Sequence, residues 1–253
     1  LGELPKLVDA SESLKIKEYL SIQPVYENNF QAYVPITKGC NQFCHFCVVP
    51  YTRGREVYRD PDDIISEIHR LINNGYKEIT LLGQTVNSYN HTKANFARLL
   101  QMADEIEGDY WIRFVSSHPN FFTDEVIDVW KKSRHITPYL HLAVQSGNNY
   151  ILQRMNRKYT IEKFKDVVYK IRSAVPGISV STDVIVGYSG ETEEHFQDSL
   201  GLFEEMKFDM AYIAQYSVRK GTLGAKLFSD DVMHDVKKRR DVEILVFIQQ
   251  RCN

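Results

Sequence analysis

Six times along this chain a short run rich in β-branched and aromatic residues gives way to an amphipathic segment. No other feature limits the fold as much. The strand-like runs lie at 33–37, 78–82, 111–116, 139–144, 178–186 and 211–217. Helical patterns follow at 62–73, 95–106, 124–132, 150–155, 161–174 and 193–206. Strands joined through helices cross over right-handedly and lie parallel, so the chain reads as α/β with a parallel sheet. Start signals support this: Asp60 stands before Pro61, and Thr123, Thr160 and Thr192 stand in the capping position before the helices that begin at Asp124, Ile161 and Glu193. Gly75 and Gly177 follow helix ends, where a left-handed residue terminates the turn. An open doubly wound sheet and a barrel both fit, and six units fall short of a closed eight-unit barrel. In either, chemistry belongs at the C-terminal ends of the strands.

Composition narrows the class. Of 253 residues, 43% are hydrophobic and 25% charged, which excludes a disordered chain. Lys and Arg total 31 against 33 Asp and Glu, so a wholly basic nucleic-acid-gripping surface is not indicated, whereas a local patch is compatible with the balance. No apolar run is long enough for a membrane helix, and no secretory leader opens the sequence, so no membrane partner and a cytoplasmic location are expected. Residues 1–30, mixed and interrupted by Pro24, read as a linker, 31–230 as the core domain, and 231–253 as a terminal helical segment.

Three of the four cysteines, Cys40, Cys44 and Cys47, fall in one C-x3-C-x2-C loop after the first strand. Such clustering indicates a metal site in a reducing compartment, not a disulfide scaffold. Three thiolates hold three corners of a cubane iron–sulfur cluster and leave the fourth iron open to another ligand. A structural zinc requires four ligands, and here the fourth has to be His45, a distant His or Cys252. Their sulfurs are expected to converge, with Cys252 far away.

The loop Cys40-Asn41-Gln42-Phe43-Cys44-His45-Phe46-Cys47, continued by Val48-Val49-Pro50-Tyr51-Thr52-Arg53-Gly54-Arg55-Glu56, resembles the radical S-adenosylmethionine (SAM) methylthiotransferases. The resemblance continues through Leu82–Tyr89, His141–Gly147, Met155–Arg157 and Ser181–Thr192, and so covers the chain from about Gln31 to Ala225. It implies an α/β fold of the radical-SAM partial TIM barrel type, (β/α)6, open on one side. It also implies a [4Fe-4S] cluster on Cys40, Cys44 and Cys47, whose open iron binds SAM through its amino and carboxylate groups. An electron from the reduced cluster then releases methionine and a 5′-deoxyadenosyl radical, chemistry that the cofactors supply and the protein orients.

Residue by residue, the resemblance sets Phe46 near the adenine, although a core aromatic reads equally well. Gly83 and Gln84 fall where backbone receives the SAM amino group, or where a strand-ending turn needs glycine. Gln145 is placed to reach the ribose, with Asp183 on the same sugar or in a cap. Arg157 suits the carboxylate, against a solvated helix end. Gly187, with Glu191, matches the motif whose backbone meets adenine. Tyr51, Arg53 and Arg55 read as substrate contacts or as a solvated loop, and Arg219–Thr222 as a phosphate contact or the same. Ala143, Ser189, Val218 and Lys220 stand where such enzymes often carry proline.

The implied reaction adds a methylthio group to C2 of N6-isopentenyladenosine beside the anticodon. The partners are a tRNA anticodon stem-loop and an electron donor such as flavodoxin or ferredoxin, with the protein a monomer. Siblings act on threonylcarbamoyladenosine or on a ribosomal-protein aspartate, and a non-catalytic iron–sulfur module is the reading from another class. Such enzymes also carry an N-terminal domain with a second [4Fe-4S] cluster and a C-terminal RNA-binding barrel. Neither is expected in this chain, whose only cysteine outside the triplet is Cys252.

Overall fold

Residues 30–250, with Pro24, are those described in this computed structural model. The remainder of the expected linker, and Cys252, lie outside the described residues. β1 (Gln31–Pro35) pairs in parallel with β2 (Glu78–Leu82), and β2 with β3 (Trp111–Phe114). β4 (Tyr139–His141) and β6 (Met210–Gln215) flank β5 (Ser179–Val186), again in parallel. Single parallel bridges, Ile112 to Ile136 and Ser117 to Leu142, join the two sets, so spatial order follows chain order. Among the described residues β1 and β6 do not pair. The result is a six-strand partial barrel, open on one side.

Around it run α1 (Pro61–Asn73), α2 (Phe96–Asp104), α3 (Asp124–Lys132), α4 (Asn149–Arg154), α5 (Ile161–Ala174), α6 (Glu193–Met206), α7 (Leu223–Leu227) and α8 (His234–Gln249). The side chains of Asp60, Thr123, Thr160 and Thr192 each accept a backbone N–H of the first turn, as their positions in sequence require. In α1, Ile64, Ile68 and Leu71 recur at helical spacing and are buried against the outward faces of the strands. Those faces carry Ala32, Val34, Ile79, Leu81, Ile112, Leu140, Val180 and Val184.

Because side chains alternate along a strand, the opposite faces line the lumen, and there the chain is polar. Gln31 donates to Glu78 at 2.6 Å, Arg113 pairs with Glu78 at 3.4 Å, and the Arg113 guanidinium lies 5.1 Å from the Tyr139 ring. Tyr139 and His141 both bond the Ser181 hydroxyl, and His141 Nε2 reaches Asp183 at 3.3 Å. An apolar shell outside and a hydrogen-bonded ladder inside fit a barrel that stays wet along one side. α8 packs against β6 and β5, with Ile244 in the main core. No helix among the described residues is long and apolar enough to cross a membrane.

His118, just after β3, is buried and cannot readily take a second proton. Its Nδ1 accepts the Asn120 N–H at 3.3 Å, and Tyr159 stands edge-on to its ring at 5.2 Å. Burial, then the Arg157 charge, push its pKa down to about 2. Its contribution is therefore complete above the unfolded histidine pKa of about 6.5, and falls by about 1.4 kcal/mol for each pH unit below it. Urea unfolding should show about 2 kcal/mol lost from this residue between about pH 6.5 and pH 5, a loss that His118→Phe removes. An unchanged pH dependence in that variant would contradict the assignment.

Candidate functional site

The cysteine loop lies at the C-terminal end of β1, braced by groups far along the chain. Gly39 has φ +79°, and a Cβ there would overlap the Arg55 carbonyl, so only glycine fits the entry to the loop. The Cys40 N–H donates to Gly54 O at 3.2 Å. Farther along, the Asn156 amide donates to Phe43 O at 2.9 Å, the His45 N–H to Met155 O at 3.0 Å, and the Gly224 N–H to His45 O at 2.7 Å. Asn156 itself sits at φ +56°, which asparagine tolerates better than most residues. The turn after α4 thus clamps the loop.

Cys40, Cys44 and Cys47 are free thiols, the first two buried. Cys44 is the electrostatic neighbour of both others. Cys40 Sγ contacts Thr85 Oγ1 and the Gln42 N–H, each at 3.5 Å, and Arg157 Nη1 donates to Cys44 Sγ at 3.3 Å. Burial pushes the Cys40 and Cys47 thiols up, ahead of the hydrogen bonds that pull them down. Thiolates there need a strong cation, which a metal centre provides.

Among the described residues no three His, Cys, Asp or Glu side chains are gathered to hold a single metal ion. A cubane places its ligand sulfurs on different irons, whereas zinc draws thiolates around one ion at about 2.3 Å. His45, the nearby candidate for a fourth zinc ligand, instead donates from Nδ1 to Arg154 O at 2.8 Å and lies beside Phe228. By donor type, three thiols with His45 engaged elsewhere suit a cluster with an open iron better than a closed four-ligand zinc site.

Beside the loop, at the ends of β5 and β6, a cleft of about 250 Å³ is lined by Phe46, Cys47, Gln145, Asp183, Tyr212 and Arg219, among others. Five of the residues read from sequence, Phe46, Cys47, Gln145, Asp183 and Arg219, meet there. Gln145, at φ +69°, bridges to β5: its N–H donates to Asp183 O at 2.8 Å and its carbonyl accepts the Ile185 N–H at 2.9 Å. Phe46 packs edge-on to Tyr188 at 6.5 Å, so it is core aromatic and cleft wall together. Asp183 is 38% exposed and oriented by His141.

The other predicted residues lie apart. Gly83 packs against Thr37 and Val86, and Gln84 follows it in the turn, two residues of which separate β2 from Thr85. Arg157, far from being a solvated helix end, donates to Cys44, to Ala143 O at 3.3 Å and to Tyr159 at 3.2 Å. The Gly187 N–H donates to Glu191 Oε2 at 2.5 Å, and its Cα is covered by the Lys237 side chain of α8. Sequence reading did not single out Asn156, His141, Tyr159, Tyr212 or Tyr216. The runs Met155-Asn156-Arg157 and His141–Gly147 carried a signal for Asn156 and His141, as motifs without a role for either residue.

Residues 34–203 match the Radical SAM superfamily. That is more than half of the chain, and the chain belongs to this superfamily. Within it, the chain is similar to curated proteins described as tRNA-2-methylthio-N(6)-dimethylallyladenosine synthase. The protein of Clostridium botulinum strain Hall is 48% identical over 233 residues, covering 90% of this chain and 52% of its own. That of Thermoanaerobacter sp. strain X514 is 46% identical over 230 residues, covering 90% and 48%. The chain thus spans about half the length of these relatives.

Coproporphyrinogen III oxidase of Escherichia coli, described as a radical SAM enzyme, superposes with a TM-score of 0.66 at 20% identity, covering 96% of this chain and 57% of that one. The radical SAM methyltransferase TsrM of Kitasatospora setae, solved with cobalamin and a [4Fe-4S] cluster, gives 0.65 at 18% identity, covering 77% and 38%. At such identities these two share the fold.

Proposed function

We propose that this chain supplies the SAM-cleaving chemistry of a cytoplasmic tRNA methylthiotransferase, one that adds a methylthio group to C2 of N6-isopentenyladenosine beside the anticodon. The observation that carries this reading is the meeting of Cys47, Phe46, Gln145 and Asp183 in one cleft at the C-terminal strand ends. The similarity to the clostridial synthase over most of the chain supports the choice of substrate.

In this reading Cys40, Cys44 and Cys47 hold a [4Fe-4S] cluster, and Arg157 keeps its hydrogen bond to the Cys44 sulfur and so orients that ligand. When bound and reduced, the cluster supplies the single electron that cleaves the sulfonium, delivered by a donor of the flavodoxin or ferredoxin class. Phe46 and Gln145 bind the adenosyl group, and the Asp183 carboxylate, fixed by His141, accepts a hydrogen bond from its ribose. Gly83 and Gln84 present backbone toward the amino group, while the two Arg157 N–H groups left unbonded are free for the carboxylate. Gly187 stiffens the adenine side of the cleft through Glu191.

Sulfur insertion belongs to a second cluster, for which this chain has only Cys252 outside the triplet. The anaerobically reconstituted protein should therefore cleave SAM yet leave isopentenyladenosine tRNA without a methylthio group, as read by mass spectrometry of the digested RNA. A methylthiolated nucleoside formed by this chain alone would overturn the two-cluster argument.

A further inference from the structure

Three exposed arginines near the cysteine loop and the cleft, Arg53, Arg55 and Arg219, form no ion pair among the described residues. Arg53 and Arg55 lie on the segment that follows Cys47, and Arg219 on the cleft wall. Arg59, Arg98, Arg113, Arg239 and Arg240 pair with Asp or Glu, and Arg154, Arg157 and Arg172 donate to protein carbonyls. The acid nearest in sequence, Glu56, is already engaged, accepting from Tyr58 at 2.8 Å and from Ser88 at 3.1 Å. In a chain whose formal charge is −2, this leaves unneutralised positive charge on the segment after Cys47 and on the cleft wall at Arg219.

Aromatic surface lies among these charges. The Arg55 guanidinium sits 4.4 Å from the Phe43 ring centre, and Tyr51, half exposed, meets Phe43 edge-on at 5.9 Å. A guanidinium over a ring keeps N–H donors for a planar anion such as phosphate. Phe43 is fixed in turn by the Asn156 amide. The knuckle is therefore set in place before any partner arrives.

We propose that Tyr51, Arg53, Arg55 and Arg219 form the contact surface for a single-stranded RNA loop, with the arginines on phosphates and Tyr51 stacked on an unpaired base. This deepens the RNA reading given above and rests on it. Guanidinium edges pair with phosphate oxygens, and an exposed ring offers a face that bases in a duplex, already stacked, cannot use. An acidic peptide satisfies the arginines and leaves the ring idle, so the combination favours an unpaired nucleic acid strand.

Fluorescence anisotropy of the reconstituted protein tests this, with a labelled RNA stem-loop and a blunt RNA duplex of equal length titrated at several salt concentrations. The variants are Arg53→Gln/Arg55→Gln, Tyr51→Ala and, as a charge control on α3, Lys131→Gln/Lys132→Gln, each checked for an unchanged thermal melt. The arginine pair is expected to weaken stem-loop binding at least about tenfold and to lower the salt slope by about 1.4, two phosphates at about 0.7 each. Tyr51→Ala should weaken the stem-loop about tenfold and leave the duplex unaffected, and the lysine control should change neither. Wild-type binding by the arginine variant overturns the surface while leaving the RNA reading intact. Equal loss of both RNAs with Tyr51→Ala overturns the stacking role. If the unaltered protein binds neither RNA, the surface and the RNA reading fall together, and SAM cleavage is judged separately.

Discussion

Alanine in place of Cys40, Cys44 or Cys47 is expected to strip the iron chromophore from reconstituted protein and to take SAM cleavage below detection. The expectation follows from the absence of a substitute. Among the described residues no other cysteine exists, and His45 is turned to the Arg154 carbonyl. A cubane already short of one protein ligand cannot lose a second corner and stay fixed in the cleft. Arg157→Lys provides the graded comparison. It keeps a charge but loses the planar geometry that reaches Cys44, Ala143 and Tyr159 at once, and a partner of a metal ligand typically accounts for about 10- to 100-fold. Iron content and visible absorbance after anaerobic reconstitution read both. Full iron loading in any one of the three alanine variants would remove that cysteine from the ligand set.

The second large effect is on stability. Arg240 of α8 pairs with Glu191 at 2.8 Å, with side-chain exposures of 3% and 1%. Removing the guanidinium strands a buried carboxylate that also accepts the Gly187 N–H. Arg240→Met should cost about 3–5 kcal/mol, with a fall in Tm of roughly 10 °C for a domain of this size. Burial already holds the Glu191 carboxyl above its ordinary range, although the Gly187 N–H and Arg240 pull it down. A raised carboxyl is easier to bury protonated, so its contribution is kept at low pH and lost as pH rises through the folded value. The Arg240→Met defect should therefore shrink as the medium is acidified toward that range, and Arg240→Met/Glu191→Met should recover most of the loss. A defect that stays constant with pH would show that lost packing, not the stranded charge, sets its size.

These two predictions differ in how visible their residues are in the sequence. The cysteines declare themselves, because three thiols in one loop are a local pattern with few structural uses. The strand–helix alternation and the caps at Asp60, Thr123, Thr160 and Thr192 are equally local, and each took the place its spacing required. Asn156, by contrast, acts through a carbonyl 113 positions away, and Arg240 through a carboxylate 49 positions away. Such pairings depend on which strand ends the barrel brings together, and nothing in the spacing of either residue encodes them. The His141–Asp183 contact is intermediate. Both lie in recognisable motifs, but their shared lumen face appears only when β4 and β5 pair in register. Arg157 shows the same limit: its type suggested a carboxylate ligand, while its contact with Cys44 required the folded chain.

The most direct test of the central claim is product analysis of the anaerobic, reduced protein incubated with SAM, its cluster first verified by iron analysis and absorbance. The expected product is 5′-deoxyadenosine, dependent on the reductant and lost when Cys40, Cys44 or Cys47 is replaced by Ala. Cluster-loaded, reduced protein that yields no 5′-deoxyadenosine would contradict it.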